Sequence, residues 1–222
     1  MGRPVKRTSQ VLDPLSLHRL LLDHYGPSGW WPGETPFEVA VGAILTQNTA
    51  WTNVEKAIAN LKAASLLDVK KIDALDEQDL AALIRPAGYF NIKARRLKNF
   101  IRAVMDYSSG NLGRFFDRDA DELRSALLTV NGIGNETADS ICCYAAGKLF
   151  FVVDAYTRRL LARHGLVTES TGYEDIRMLF ESGLPDDLAV YKDLHAHIVF
   201  TGKDYCRKKN PRCDVCPLKG YF

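Results

Sequence analysis

Apolar residues return every three or four positions through nearly the whole chain, and this spacing restricts the fold more than any other feature. Phe37, Ala40, Val41, Ile44 and Leu45 form one such stripe, and Leu97, Phe100, Ile101, Val104 and Met105 form another. Each stripe covers one helix face, so segments of this kind are stable only when their stripes bury one another. The expected class is all-α. Punctuation agrees: Thr35-Pro36-Phe37-Glu38 offers an N-cap, a proline at the first helical position and a glutamate reaching back, and Thr52 with Glu55 repeats the box. Gly88, Gly110, Gly147, Gly165 and Gly183 each follow a periodic stretch, as expected of left-handed helix ends. The pattern predicts helices at 15–25, 36–47, 52–64, 77–85, 91–107, 120–129, 135–146, 155–164, 173–182 and 188–202. Leu149–Val153 is strand-like but short, and reads as a buried extended connector running into Asp154.

A chain of 222 residues with 46% hydrophobic content can bury one large core or two lobes. Met1–Asp13 carries Arg3, Lys6 and Arg7 without an apolar segment behind them, and no run approaches the length of a membrane span. A soluble protein of the cytosol is expected. The net charge of +2 decides little about partners, but its distribution is uneven. Lys93, Arg95, Arg96 and Lys98 cluster, as do Arg158, Arg159 and Arg163, and then Lys203, Arg207, Lys208, Lys209 and Arg212. DNA thereby becomes a candidate partner. Five cysteines divide into Cys142 and Cys143 within a helical pattern, expected in the core, and Cys206, Cys213 and Cys216 near the C-terminus. Without a secretory signal the terminal three read as metal or cluster ligands rather than disulfide partners.

The strongest functional signal is Val130-Asn131-Gly132-Ile133-Gly134-Asn135-Glu136-Thr137-Ala138, followed twenty residues after Gly134 by Asp154. Two glycines around one aliphatic residue allow a tight turn whose backbone N–H groups can approach a phosphate oxygen as a helix begins.

These residues, with Val152-Val153-Asp154-Ala155-Tyr156 and the terminal cysteine spacing, resemble the helix-hairpin-helix DNA glycosylases of the endonuclease III superfamily. The resemblance implies two helical lobes: a central barrel over 28–147, containing the hairpin 130–138, and a second lobe from 1–27 plus 148–222 that ends in the cysteine loop 206–222. It implies Asp154 as the catalytic carboxylate at the mouth of a cleft, with Gly132, Ile133 and Gly134 holding a DNA phosphate. Gln47 falls at the position that fills the gap in the base stack, and Tyr89 at that of the opposing wedge. Bifunctional members carry at position 136 a lysine that forms a Schiff base; Glu136 cannot, so base removal by hydrolysis without strand cutting is implied.

Trp30-Trp31-Pro32, Trp51, the segment Leu45-Thr46-Gln47-Asn48-Thr49 and Glu136 look most like the 3-methyladenine DNA glycosylase III branch, which makes Trp30, Trp31, Pro32 and Trp51 candidate base contacts. Indole faces attract cations, so such a pocket suits an alkylated, positively charged purine that leaves without a dedicated acid. The implied partner is damaged double-stranded DNA, the expected state a monomer in the cytoplasm or nucleoid. Cluster-bearing members have four cysteines separated by six, two and five residues; Cys206, Cys213 and Cys216 fit, but the fourth position holds Phe222. A [4Fe–4S] cluster with one outside ligand, another metal, and a loop without iron all stay open, with the retained form of the loop favouring the cluster. The competing functions are an endonuclease III-type glycosylase with lyase activity, an adenine-mismatch glycosylase, and a hairpin module that only binds DNA.

Overall fold

A computed structural model of the chain describes residues 12–222; Arg3, Lys6 and Arg7 lie outside the described residues. These fold into helices and connectors with no strand among them, confirming the all-α class, and no described helix is long and apolar enough to cross a membrane. In chain order the helices are α1 Pro14–Tyr25, α2 Pro36–Leu45, α3 Trp51–Ala63, α4 Val69–Ala74, α5 Glu77–Leu83, α6 Phe90–Ser108, α7 Leu112–Phe116, α8 Ala120–Thr129, α9 Asn135–Ser140, α10 Ala155–Arg163, α11 Tyr173–Glu181 and α12 Leu188–Asp204. They divide between two compact units, one over Trp31–Phe150 and one formed by the chain up to Trp30 with Phe151–Phe222.

The unit over Trp31–Phe150 is built around α2, whose residues from Phe37 to Leu45 are all buried. A helix apolar on every side needs neighbours on every side, and α3, α6, α9 and the π-helical turn Ile141–Ala145 pack against it. Thr35 caps α2 as expected, its Oγ1 accepting from the Glu38 amide at 3.1 Å. The second box does not form. Helix α3 starts at Trp51, so Thr52 lies inside it and the N-cap position falls to Ala50, whose methyl group cannot accept; Glu55 takes the Trp51 indole N–H at 2.8 Å instead. Two helices lack a stripe long enough to be seen in sequence. In α4, Asp68 caps the start while Lys98 donates to the carbonyls of Ile72, Asp73 and Leu75 at its end, and α7 is a single turn that buries Phe115 and Phe116.

In the other unit α1 and α10 pack on α12. The connector into Asp154 is extended and buried, and side chains of α11 satisfy its amides: Phe151 N–H donates to Glu181 at 2.8 Å and Val153 N–H to the Tyr173 hydroxyl at 3.3 Å. The Phe151 ring stacks on Phe180 with centroids 4.0 Å apart. A sheet is therefore unnecessary. Of the five helix-ending glycines, Gly183 alone lacks a positive φ; a Cβ there would meet the Pro14 ring at 2.5 Å, so close packing rather than handedness explains it.

Candidate active site

Helices α8 and α9 meet at the glycine turn, and the two glycines have different work. Gly132 sits at φ 97°, and a Cβ on it would collide with the Arg96 stem. Gly134 has an ordinary φ of −99°, is exposed at the start of α9, and has nothing within 4 Å of where a Cβ would stand. The first makes the turn; the second keeps its outer surface open to close approach. Ile133 is buried beneath, and Asp139 of α9, fully enclosed, accepts from Arg124 of α8 at 2.5 Å, tying the hairpin helices together. Glu136 lies exposed in the first turn of α9.

Gln47 bears directly on this turn. Its Nε2 donates to the Gly132 carbonyl at 3.1 Å and to Thr137 Oγ1 at 2.9 Å, while Arg96 donates to its Oε1. Both ends of the amide are held by the hairpin and α6, so entry into a base stack would exchange these bonds for others. Tyr89 precedes α6 in the left-handed region at φ 47° and is 71% exposed, which removes a core-packing role. Beneath it Lys93 is 1% exposed and donates to the carbonyls of Leu45 and Ala87 at 2.8 and 2.7 Å, joining the end of α2 to the turn that carries Tyr89. Burial, with Arg96 nearby, lowers the Lys93 pKa to about 8.

Asp154 is the N-cap of α10 and 9% exposed. Its Oδ1 accepts from the Thr157 amide at 2.7 Å and from Thr157 Oγ1 at 2.9 Å, and His195 Nε2 of α12 lies 3.7 Å from Oδ2. Burial pushes the carboxyl upward, but His195 and the Thr157 donors outweigh it, and the pKa falls below the usual carboxylate value. The group is thus an anion at neutral pH, held by one donor pair on one oxygen. Sequence reasoning missed His195: it lies within a helical stripe like any core residue, and only the fold brings it to Asp154.

The tryptophans separate. Trp31 and Trp51 meet edge to face at 5.3 Å over Gly42, whose absent side chain leaves room for both, and Tyr144 joins at 5.3 Å from Trp31. Trp30 belongs to the other unit, where it packs on Phe200 at 5.8 Å with Lys203 Nζ 5.5 Å from its ring. Pro32 and Trp51 also line a cavity of about 380 Å³ that carries Glu34, Glu38, Glu55 and Lys62. Tyr144 was not legible, because its partners are set by the π-helical turn that interrupts the expected helix 135–146.

Residues 41–186 match the HhH-GPD superfamily of base excision DNA repair proteins. The chain belongs to that superfamily. It is 50% identical over 207 residues, 92% of this chain and 93% of the relative, to MJ1434 of Methanocaldococcus jannaschii, whose name places it among DNA repair glycosylases. The crystal structure of the H. pylori 3-methyladenine DNA glycosylase MagIII bound to 1,N6-ethenoadenine is similar with a TM-score of 0.76 and 32% identity, covering 86% of this chain and 98% of that one. A non-covalent endonuclease III–DNA complex shares the fold, with a TM-score of 0.78 at 20% identity over 94% of each chain.

For a protein of this superfamily the basic residues matter, and most of those singled out in the sequence are engaged internally. Besides Lys93, Arg96 and Lys98, Arg95 pairs with Glu77, Arg158 donates to the Thr171 carbonyl, and Arg159 to the carbonyls of Cys206 and Gly202. Of these only Arg95 shares its charge with a carboxylate; the others donate to neutral carbonyls and an amide and keep their positive charge. Arg207, Lys208, Lys209 and Arg212 face outward on the cysteine loop.

That loop answers whether an iron–sulfur group fits. Cys142 and Cys143 are buried in the core as expected, with Cys142 pushed up to about 12 by burial. Among the described residues no three His, Cys, Asp or Glu side chains converge as a single metal ion requires. Instead Cys206, Cys213 and Cys216 border one cavity of about 230 Å³, and Arg163 Nη1 donates to Cys206 Sγ at 3.0 Å, a donor suited to an anionic sulfur. Thiols spaced around a cavity fit a polynuclear cluster better than one ion.

Proposed function

We propose that this chain is a monofunctional DNA glycosylase that removes flipped alkylated purines such as 3-methyladenine by hydrolysis of the N-glycosidic bond. The observation that carries the proposal is Asp154, a buried carboxylate kept ionised by Thr157 and His195 in a superfamily member that has glutamate where a Schiff base needs an amine. As the base departs, positive charge grows on the deoxyribose; a fixed anion stabilises that charge and orients the attacking water. Extruding the nucleotide costs a few kcal/mol and least at damaged pairs. The open turn at Gly132–Gly134 holds a phosphate without reading sequence, Tyr89 presents an aromatic ring to the stack, and Gln47 sits where it can exchange hairpin contacts for the vacated space.

An alkylated purine leaves as a neutral base, so no general acid is required, and Trp31, Trp51 and Tyr144 offer π faces for a cation. The identity to MagIII supports this substrate class. The protein acts as a monomer on damaged duplex DNA in the cytoplasm or nucleoid. Cys206, Cys213 and Cys216 would hold a [4Fe–4S] cluster, which when bound would fix the basic segment Arg207–Arg212 for the DNA backbone.

The test is incubation with methylated duplex DNA and identification of released bases by mass, in parallel with duplexes carrying oxidised pyrimidines, adenine mismatches and thymine or uracil mismatches. Release of 3-methyladenine with abasic strands left uncut is expected. Release confined to another duplex reassigns the substrate. A borohydride-trapped covalent adduct overturns the hydrolytic mechanism, and binding without any release leaves only a DNA-binding module.

A further inference from the structure

Three thiols leave a four-iron cluster one ligand short, and the cavity they border has a specific candidate for the missing place. Its lining includes His164, the residue that ends α10, and Phe222, the residue standing where the fourth cysteine of the spacing would fall. The two rings pack on each other with centroids 4.2 Å apart and planes inclined by 35°. The aromatic side chain at position 222 therefore rests against an imidazole beside the same cavity. Helix α10 also fixes the first cysteine: Arg159 Nε donates to the Cys206 carbonyl at 2.7 Å, and Arg163 donates to the Cys206 sulfur and to the Arg207 carbonyl. One nine-residue helix thus holds a ligand cysteine through its arginines and delivers a histidine at its end.

Resting on the cluster assignment above, we propose that His164 is the fourth ligand of a [4Fe–4S] cluster otherwise bound by Cys206, Cys213 and Cys216. A neutral imidazole nitrogen is an established donor to iron in sulfur clusters, and it replaces one thiolate charge by none. Asp214, the carboxylate that also borders the cavity, is exposed and lies beside the ligand Cys213, whereas His164 is partly buried. Replacing a thiolate by a neutral ligand makes the site less negative, so its reduction potential lies above that of a four-cysteine site.

The experiment uses the full chain reconstituted anaerobically with iron and sulfide, and pulsed electron–nuclear spectroscopy of the reduced cluster. A nitrogen coupling is expected that changes to the ¹⁵N pattern when histidine alone is labelled. In His164→Ala that coupling disappears, and brief oxidation converts the cluster to its three-iron form. In His164→Cys the cluster persists without nitrogen coupling and with a lowered potential. A chain that takes up no iron, a cluster without histidine nitrogen coupling, or a coupling that survives in His164→Ala overturns the proposal; loss of the fourth iron only in Asp214→Asn assigns the place to Asp214 instead. Base release is measured on the same preparations. A histidine-ligated cluster in a protein that releases no base upholds this inference while the glycosylase reading fails.

Discussion

Gly132 and Gly134 differ in what a methyl group would cost them, and the difference separates folding from binding. At Gly132 alanine must hold a positive φ and displace Arg96, so Gly132→Ala should lower unfolding stability by about 1–3 kcal/mol, read as a shift of the urea midpoint. At Gly134 the space is open and φ ordinary, so Gly134→Ala should leave that midpoint within about 0.5 kcal/mol while DNA affinity falls roughly tenfold, since only an approaching backbone would feel the methyl group. Equal stability losses in both variants would contradict the assignment. His195 makes a different prediction. It is one of the groups holding the Asp154 carboxyl below its ordinary pKa, so removing it in His195→Gln raises that pKa. The acid limb of the pH–rate profile for base release should then move to higher pH; an unmoved limb would show that His195 does not tune the carboxylate. The glycine turn and the carboxylate at 154 stood out in sequence as a spaced pair to which the resemblance lent roles, whereas His195 sits in a helical stripe like any core residue.

Among the elements, the α8–α9 hairpin depends on a buried ion pair that no sequence pattern announced. Asp139 is fully enclosed with Arg124 against it, and truncating that cation removes a charge-assisted bond from a carboxylate that water does not reach. Arg124→Met should destabilise the unit over Trp31–Phe150 by about 3–5 kcal/mol in chemical denaturation, far more than an exposed pair such as Arg95–Glu77, where about 0–1 kcal/mol is expected. A small loss in Arg124→Met would mean that Asp139 is satisfied by other groups. Ten helices were visible from apolar period, α9 among them because the π-helical turn Ile141–Ala145 extends its stripe. Helices α4 and α7, of six and five residues, are too short to show a stripe and exist through Asp68 and Asn111 caps and through buried phenylalanines. The Thr52–Glu55 box misled because the helix begins at Trp51, which puts Thr52 inside the first turn and leaves Glu55 to the Trp51 indole. The internal partners of the basic clusters were likewise invisible in sequence: carbonyls at helix ends orient nearby cations, and composition does not record that.

For the molecule as a whole, acid should act first on the unit that contains Asp154. His18 of α1 and His197 of α12 are both buried, and burial lowers the pKa of each, with nearby Asp193 opposing only in part. The unfolded chain therefore takes up these protons near pH 6.5 while the folded chain resists, so stability falls as pH drops through and below about 6.5. The thermal midpoint should decline between pH 7.5 and 5, and the decline should be shallower in His18→Leu; an identical slope would contradict the assignment. Such acid sensitivity bears on how base release is measured, since Asp154 must be tested where the fold is intact. The most direct test of its role is single-turnover release of 3-methyladenine from methylated duplex DNA at pH 7.5, comparing the parent protein with Asp154→Asn. Asparagine can still cap α10, so the variant should fold and bind DNA as the parent does, while its release rate drops by roughly 10²–10³-fold or more. Release at the parental rate from a folded, DNA-bound Asp154→Asn protein would contradict the account.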